Sequence, residues 1–181
     1  MHRITRLTKR HVNRITTLGL RLLALGAVAA GPALAQTSPQ TSNMAVSATV
    51  TNNCTISAGA LAFGNYNPTV ATAVDAAATL TLTCTLNAST TITLDEGLHA
   101  GGGSTPAVPI RRMVNSVTNF LSYTLYTTSG RTTVWNGTTG VAYTGTGVAD
   151  TSVQVFGRIP GSQSSLPSGS YTDTIVATIT F

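Results

Sequence analysis

The stretch "YTDTIVATITF", residues 171–181, carries the alternation that decides the fold class. Tyr171, Ile175, Ala177, Ile179 and Phe181 fall on one face, with Thr172, Thr174, Val176, Thr178 and Thr180 on the other. A two-residue period marks a strand with one face in a core. The run reaches Phe181 and holds one charge, Asp173. Sheet edges are usually blunted by lysine, proline or a covering segment, because their unpaired backbone groups invite aggregation. Nothing in the sequence beyond Pro167 blunts this one except Asp173, so something is expected to cover it.

Working outward to the other end, "SNMAVSATVTNNC" (42–54) alternates in the same way. Met44, Val46, Ala48 and Val50 share a face, against Ala45, Ser47, Thr49 and Thr51. Two readings stay open. The segment either pairs with another subunit's sheet or begins the first strand of its own, running straight into Cys54.

What precedes it reads as an export signal. Arg3, Arg6, Lys9, Arg10, Arg14 and Arg21 form a basic region, followed by "LLALGAVAAG" and then "ALA" at 33–35. That order of charge, apolar run and small-residue cleavage site is a secretory signal peptide over residues 1–35. The apolar run is too short to span a bilayer and no later one is longer, so the product is expected to be exported and not membrane-spanning. From Gln36 onward four arginines (111, 112, 131 and 158) stand against Asp75, Asp95, Glu96, Asp150 and Asp173, with no lysine. The formal net charge of +5 therefore belongs to the precursor, and residues 36–181 carry −1. No cationic stripe is left to track phosphates, which excludes a nucleic-acid partner.

Residues 36–181 suit one domain, large enough to bury roughly 70% of its unfolded surface. Cys54 and Cys84 are the only cysteines. In an exported chain an even pair reads as a disulfide, worth about 3–4 kcal/mol on the chain-entropy model. A metal site lacks ligands, since His99 is the only histidine after the signal. Strand-like runs recur as "MAVSATV", "TLTLTCTL", "TTITLD", "FLSYTLYT", "TTVWN", "GVAYTG", "SVQVFGRI" and the terminal run. Turn chemistry separates them, and Asn136-Gly137 reads as a short hairpin turn. Many short strands at this spacing predict an all-β sandwich, with a closed barrel as the alternative. The aromatic residues read as packing within it, and Asp173 is a candidate ion-pair partner for Arg111 or Arg158.

Catalytic patterns are thin. His99 sits in a glycine-rich loop, no G-x-S-x-G elbow occurs, and Asp95 and Glu96 are adjacent, so on a strand they face opposite ways. "AGGGSTP" lacks the lysine and following helix of a phosphate loop. The sequons at Asn53, Asn87 and Asn136 matter only in a host that glycosylates them. The reading is no enzyme, no cofactor and no metal.

Several elements, in order, carry a resemblance. "NNCTIS", "LAFGNYNP" with Phe63, Gly64 and Tyr66, "LTCTL", the Gly97 turn, "RRM", "LSYTLYT", Trp135, "VFGRIP" and "SGSYTDTIVATITF" run through most of the chain. Together they resemble the spore coat protein U domain, shared by subunits of archaic chaperone–usher pili. The loop "TTSGRTTVWNGTTG" departs from the pattern by lacking an acidic residue after Leu125-Tyr126. The resemblance implies an incomplete immunoglobulin-like sandwich (residues 53–181) that lacks its last strand, preceded by an N-terminal extension (36–52). It implies that Met44, Val46, Ala48 and Val50 form a donor strand for the next subunit. Tyr171, Ile175, Ala177, Ile179 and Phe181 would edge the acceptor groove. The partners implied are copies of the chain or sibling pilins, a periplasmic chaperone and an outer-membrane usher. The function implied is a structural subunit of a surface fibre for adhesion and biofilm formation. An adhesive tip module, or a coat or matrix protein of a resting cell, are the alternatives; a tip subunit needs no donor strand and usually carries a second domain, which favours a shaft subunit.

Overall fold

Leu80, Leu82 and Cys84, then Ile92 and Leu94, then Leu121, Tyr123 and Leu125, recur at every second residue, and all are buried. Each run can bury that face only by becoming a strand, and the faces have to meet. The computed structural model, which describes residues 38–116, 118–147 and 151–181, shows how. The strands are β1 (Cys54–Ala58), β2 (Val74–Cys84), β3 (Ser89–Leu94), β4 (Arg111–Ser116), β5 (Asn119–Tyr126), β6 (Val141–Thr144), β7 (Thr151–Ile159) and β8 (Ala177–Thr180). They make a five-stranded sheet, β1-β2-β7-β5-β4, and a three-stranded one, β6-β3-β8. Every pairing is antiparallel. The arrangement is a sandwich of two sheets, and the closed barrel is not found.

Leu80, Leu82, Leu121, Tyr123, Leu125 and Val155 from the first sheet meet Ile92 and Leu94 from the second in one core. Trp135, 1% exposed, locks the layers together. Its backbone N–H donates to the Leu125 carbonyl (2.9 Å), and its indole N–H donates to the Ile92 carbonyl across the sandwich (2.9 Å). A buried indole that finds its acceptor keeps the apolar gain of a large ring without an orphaned donor.

Arg111 is the second cross-layer clamp. It lies on β4 but is 1% exposed. Its Nε and Nη2 donate to the Asp95 carbonyl (2.8 and 2.6 Å), and Nη2 also donates to the Leu94 carbonyl at the end of β3 (3.0 Å). Burial pulls its pKa below the ordinary arginine value. Backbone carbonyls that have run out of ladder partners thus take a side-chain donor from the other sheet.

The disulfide forms as expected between Cys54 and Cys84, which are direct partners in the β1–β2 register. Thr85 N–H bonds the Asn53 carbonyl, and Gly59 N–H bonds the Thr79 carbonyl. Cys54–Cys84 therefore falls on the alternate, non-hydrogen-bonded pair, where Cα atoms approach most closely; they lie 4.2 Å apart.

Several expectations need correcting. "TTVWN" is not a strand but a segment with one bridge, Tyr126 to Val134. Asn136-Gly137 does not close a hairpin, because β6 crosses to the other sheet and pairs with β3. Asn136 Oδ1 instead accepts from Thr138 and Thr139 N–H, making a capped turn. Asp173 pairs with neither arginine. Arg158 faces Asp75 across the β2–β7 ladder and holds it at 2.7 and 2.8 Å, and Arg111 is taken by the carbonyls above.

By internal contacts the chain divides into Met1–Val46 and Ser47–Phe181. In the first unit, residues 38–46 are exposed and form no strand. Residues 1–35, expected to be an export signal, lie outside the described residues. Among the described residues no helix is long and apolar enough to cross a membrane.

Candidate functional site

The chain from Tyr171 to Thr180 keeps its alternation throughout, odd positions half-buried and even positions exposed. Its backbone alternates too. Thr172 exchanges both hydrogen bonds with Val114 of β4 (2.9 and 3.0 Å). The Thr174 carbonyl accepts from Leu98 N–H (3.2 Å), and the Val176 carbonyl from Asp95 N–H (3.1 Å). Val176 N–H donates to Asp95 Oδ1 (3.0 Å). Beyond that point β8 pairs with β3, from Leu94↔Ala177 to Thr91↔Thr180. The even residues thus turn their backbone toward β3 and β4. By the geometry of an antiparallel strand, Tyr171, Asp173, Ile175, Ala177 and Ile179 turn theirs to the opposite edge. Among the described residues no strand stands there.

β1 offers the facing edge. Because Asn53 and Gly59 bond toward β2, the alternation turns Cys54, Ile56 and Ala58 away from it. Between the two edges runs a cleft. Its first part, about 370 Å³, has one wall of Ala58, Gly59, Ala60 and Leu61 and another of Tyr171 to Ile175 and Ala177; Leu80, Leu94 and Val155 are among its floor residues. Its continuation, about 880 Å³, shares Leu61, Phe63, Met113 and Tyr171 and reaches Tyr66 and Leu166. Small residues, Ala58, Gly59 and Ala60, make up most of the wall on the β1 side.

One polar cluster interrupts this apolar lining. Asp173 is 2% exposed at its side chain. Its Oδ2 accepts from the Tyr123 hydroxyl (2.7 Å), and its Oδ1 lies 3.0 Å from His99 Nδ1. Burial, reinforced by the bond to Asp173, pushes the Tyr123 hydroxyl far above a tyrosine's ordinary pKa. Gly97 makes room for the cluster. It adopts φ +80°, and a Cβ there would overlap Asp173 Oδ2. His99 thus has a carboxylate partner in Asp173.

The structure brings Tyr171, Ile175 and Ala177 together in the cleft, with Ile179 packed on the core beyond them. Phe181 is 52% exposed. The regular strand is shorter than the sequence suggests, since upstream of Ala177 the chain leaves β3 to bridge β4. Met44, Val46 and Val50 are 85, 87 and 84% exposed, Ala48 is also exposed, and none of the four is in a strand. The first strand of the sandwich begins at Cys54, not at residue 44. Sequence reasoning missed the β1 wall and the Asp173 cluster. The run of small residues "SAGALA" (57–62) after Ile56 was the available signal for the wall.

Two antiparallel sheets with these edges make an immunoglobulin-like sandwich. A model of the Spore Coat Protein U domain matches residues 40–178, and the chain belongs to that family, one of structural subunits and not of enzymes. It is 45% identical over 170 residues to "Protein U" of Myxococcus xanthus, covering 87% of this chain and 93% of that one. A solved chain of the CsuC–CsuE complex superposes with a TM-score of 0.50 at 22% identity. That structure is a chaperone–tip adhesion subunit pre-assembly complex from archaic chaperone–usher Csu pili of Acinetobacter baumannii. The match covers 74% of this chain and 40% of that one, and it bears on the fold.

Proposed function

We propose that this chain is an exported structural subunit that polymerises by strand exchange, residues 44–50 of one copy entering the cleft of the next. The observation that carries the proposal is the pairing of two unmet needs. A strand edge that no described strand covers flanks an apolar cleft, and an uncharged extension holds exposed Met44, Val46 and Val50 at even-numbered positions on one alternating face. An added strand gains main-chain hydrogen bonds from the edge and side-chain burial from the cleft. Each of the larger side chains contributes about 1.5–3 kcal/mol when fully buried. Before assembly the same cleft is to be covered by a strand of a periplasmic chaperone, with release at an outer-membrane usher. The product is a surface fibre serving adhesion and biofilm formation.

The family's description favours a second form of the same assembly, a coat or matrix around a resting cell. Strand exchange would operate in either.

The test is a denaturing gel of material sheared from the cell surface, boiled and unboiled, from strains with and without residues 36–51. A ladder that collapses on boiling and is lost with the deletion is the expected result. Monomer in every unboiled lane would overturn the proposal. Comparing growing with resting cells separates fibre from coat.

A further inference from the structure

Strand exchange, on which this inference rests, leaves open how far the incoming strand slides. One residue in the cleft restricts it. Tyr171, Ile175, Ala177 and Ile179 present apolar side chains at every second position, and Asp173 puts a carboxylate in the same row. Its oxygens each hold one partner, Tyr123 and His99, whereas a carboxylate has lone pairs for more than two donors. The side chain is already only 2% exposed, held by both bonds and packed under Gly97, so it cannot turn aside for a bulky apolar group, which would meet its unfilled acceptor sites and return no hydrogen bond.

The orientation is set by the sheet. All six strand pairings are antiparallel, so a strand that continues the second sheet beside β8 in the same manner runs antiparallel to it. Opposed residues of an antiparallel pair share a face. Met44, Val46, Ala48 and Val50 must then lie opposite odd-numbered residues of the last strand. Three registers bring this face over the cleft with Met44 inside the row that ends at Ile179; a fourth, Met44 opposite Phe181, puts Met44 past the end of β8 and Asn52 on Asp173, two residues before the donor's own β1 begins at Cys54. Met44 opposite Ile179 sets Val50 on Asp173. Met44 opposite Ile175 sets Val46 there. Met44 opposite Ala177 sets Ala48 there, the smallest side chain on the smallest apolar surface. That third register also matches long Met44 with short Ala177, the large-to-small complementarity that dense packing needs. Charge agrees, because residues 36–52 contain no acidic group to repel the carboxylate.

We infer that Asp173 sets the register of exchange: Ala48 of a second copy lies against its carboxylate, with Val50 at Tyr171, Val46 at Ile175 and Met44 at Ala177. Asp173 is a specificity residue, selecting a small or hydroxyl-bearing side chain at one position of the donor and refusing a branched apolar one.

Cysteine pairs test the register in the assembled protein. The native cysteines are already paired and no free one remains among the described residues. Met44→Cys is combined in turn with Ile175→Cys, Ala177→Cys and Ile179→Cys, and sheared polymer is boiled without reductant. A boiling-resistant, reductant-sensitive ladder from the Ala177→Cys pair alone is expected. A ladder from either other pair instead would overturn the register while leaving strand exchange standing. No covalent ladder from any pair, together with no boiling-sensitive ladder from the unsubstituted chain, would remove strand exchange itself. No covalent ladder from any pair beside an intact native ladder would overturn the register alone.

The role of the carboxylate has its own test, in a segment outside the sandwich strands. Ala48→Thr and Ala48→Val introduce side chains of nearly one shape, and only threonine can donate to Asp173. Ala48→Thr is expected to keep the ladder, and Ala48→Val to reduce polymer about tenfold, the factor that follows from about 1.4 kcal/mol. Equal yields from the two variants would overturn the role assigned to Asp173.

Discussion

The Tyr123 hydroxyl donates to Asp173 Oδ2 across 2.7 Å, joining the middle of β5 to the segment that leads from the Thr172 bridge into β8. This bond spans the cleft floor, so it couples the shape of the acceptor to the integrity of the core. Removing the hydroxyl leaves a buried carboxylate one donor short.

Tyr123→Phe is therefore expected to destabilise the monomeric sandwich by about 1–3 kcal/mol, the cost of an orphaned buried acceptor. It should also change the alkaline limb of stability. The folded hydroxyl titrates above its unfolded value, so its contribution is complete below about pH 10 and is lost as pH rises beyond it. Urea unfolding from pH 8 to 11 should show stability falling in the native chain, and a smaller fall in the variant. Equal slopes would refute the assignment.

At the opposite pH extreme the group to watch is Asp75. Its hydrogen bonds from Arg158, with Arg131 nearby, hold its pKa below the carboxylate value of 3.8. The contribution is present above the unfolded value and disappears as pH falls through the lower folded one. Asp75→Asn should flatten the acid limb below about pH 4 in thermal melts. The loss at neutral pH should stay within about 1 kcal/mol, as for a solvent-accessible pair. A large loss at pH 7 would mean the pair is structural in some further way.

The disulfide makes a third prediction. Replacing Cys54 and Cys84 by alanine should lower stability by about 3–4 kcal/mol, from the lost restraint on the unfolded chain. Chemical denaturation of the purified chain, oxidised against the double variant, gives the value directly. No measurable difference would mean the unfolded chain is restrained by something else.

Gly97→Ala is expected to fail more severely than an ordinary loop substitution. A Cβ at φ +80° is strained and would overlap the Asp173 carboxylate. Secreted yield and melting temperature should both fall, and Gly102→Ala, where nothing stands within 4 Å of the added carbon, is the control. Equal effects at the two positions would show that the overlap is relieved at no cost.

Much of this architecture was legible because alternation is a strong signal when one face is buried. The runs around Leu80–Cys84, Ile92, Leu121–Leu125, Tyr143 and Val155 announced five strands through their own side chains. "CTISA" did not, since a five-residue strand with one large apolar residue has almost no period to read. "RRMVNS" was hidden by its charges, because Arg111 reads as polar surface until the carbonyls of Leu94 and Asp95 are seen to receive it. "TTVWN" misled in the other direction. Its alternation is real, but Trp135 is buried by reaching across both sheets, not by joining one. At the site, the row from Tyr171 to Ile179 could be read from sequence. The facing wall and the bonds of Asp173 to Tyr123 and His99 could not, since those bonds join residues 50 and 74 positions apart.

The position of the disulfide has a mechanical meaning. A pull on the extension before residue 53 enters the sandwich at Cys54, the first residue of β1. Hydrogen bonds loaded one after another from a strand's end would peel apart like a zipper. Here, just behind the Asn53–Thr85 hydrogen bonds, the next tooth is covalent, and it passes the load to Cys84 at the far end of β2. β2 is an eleven-residue strand hydrogen-bonded to both β1 and β7, so traction on the short outer strand is delivered to the best-anchored strand of the sheet.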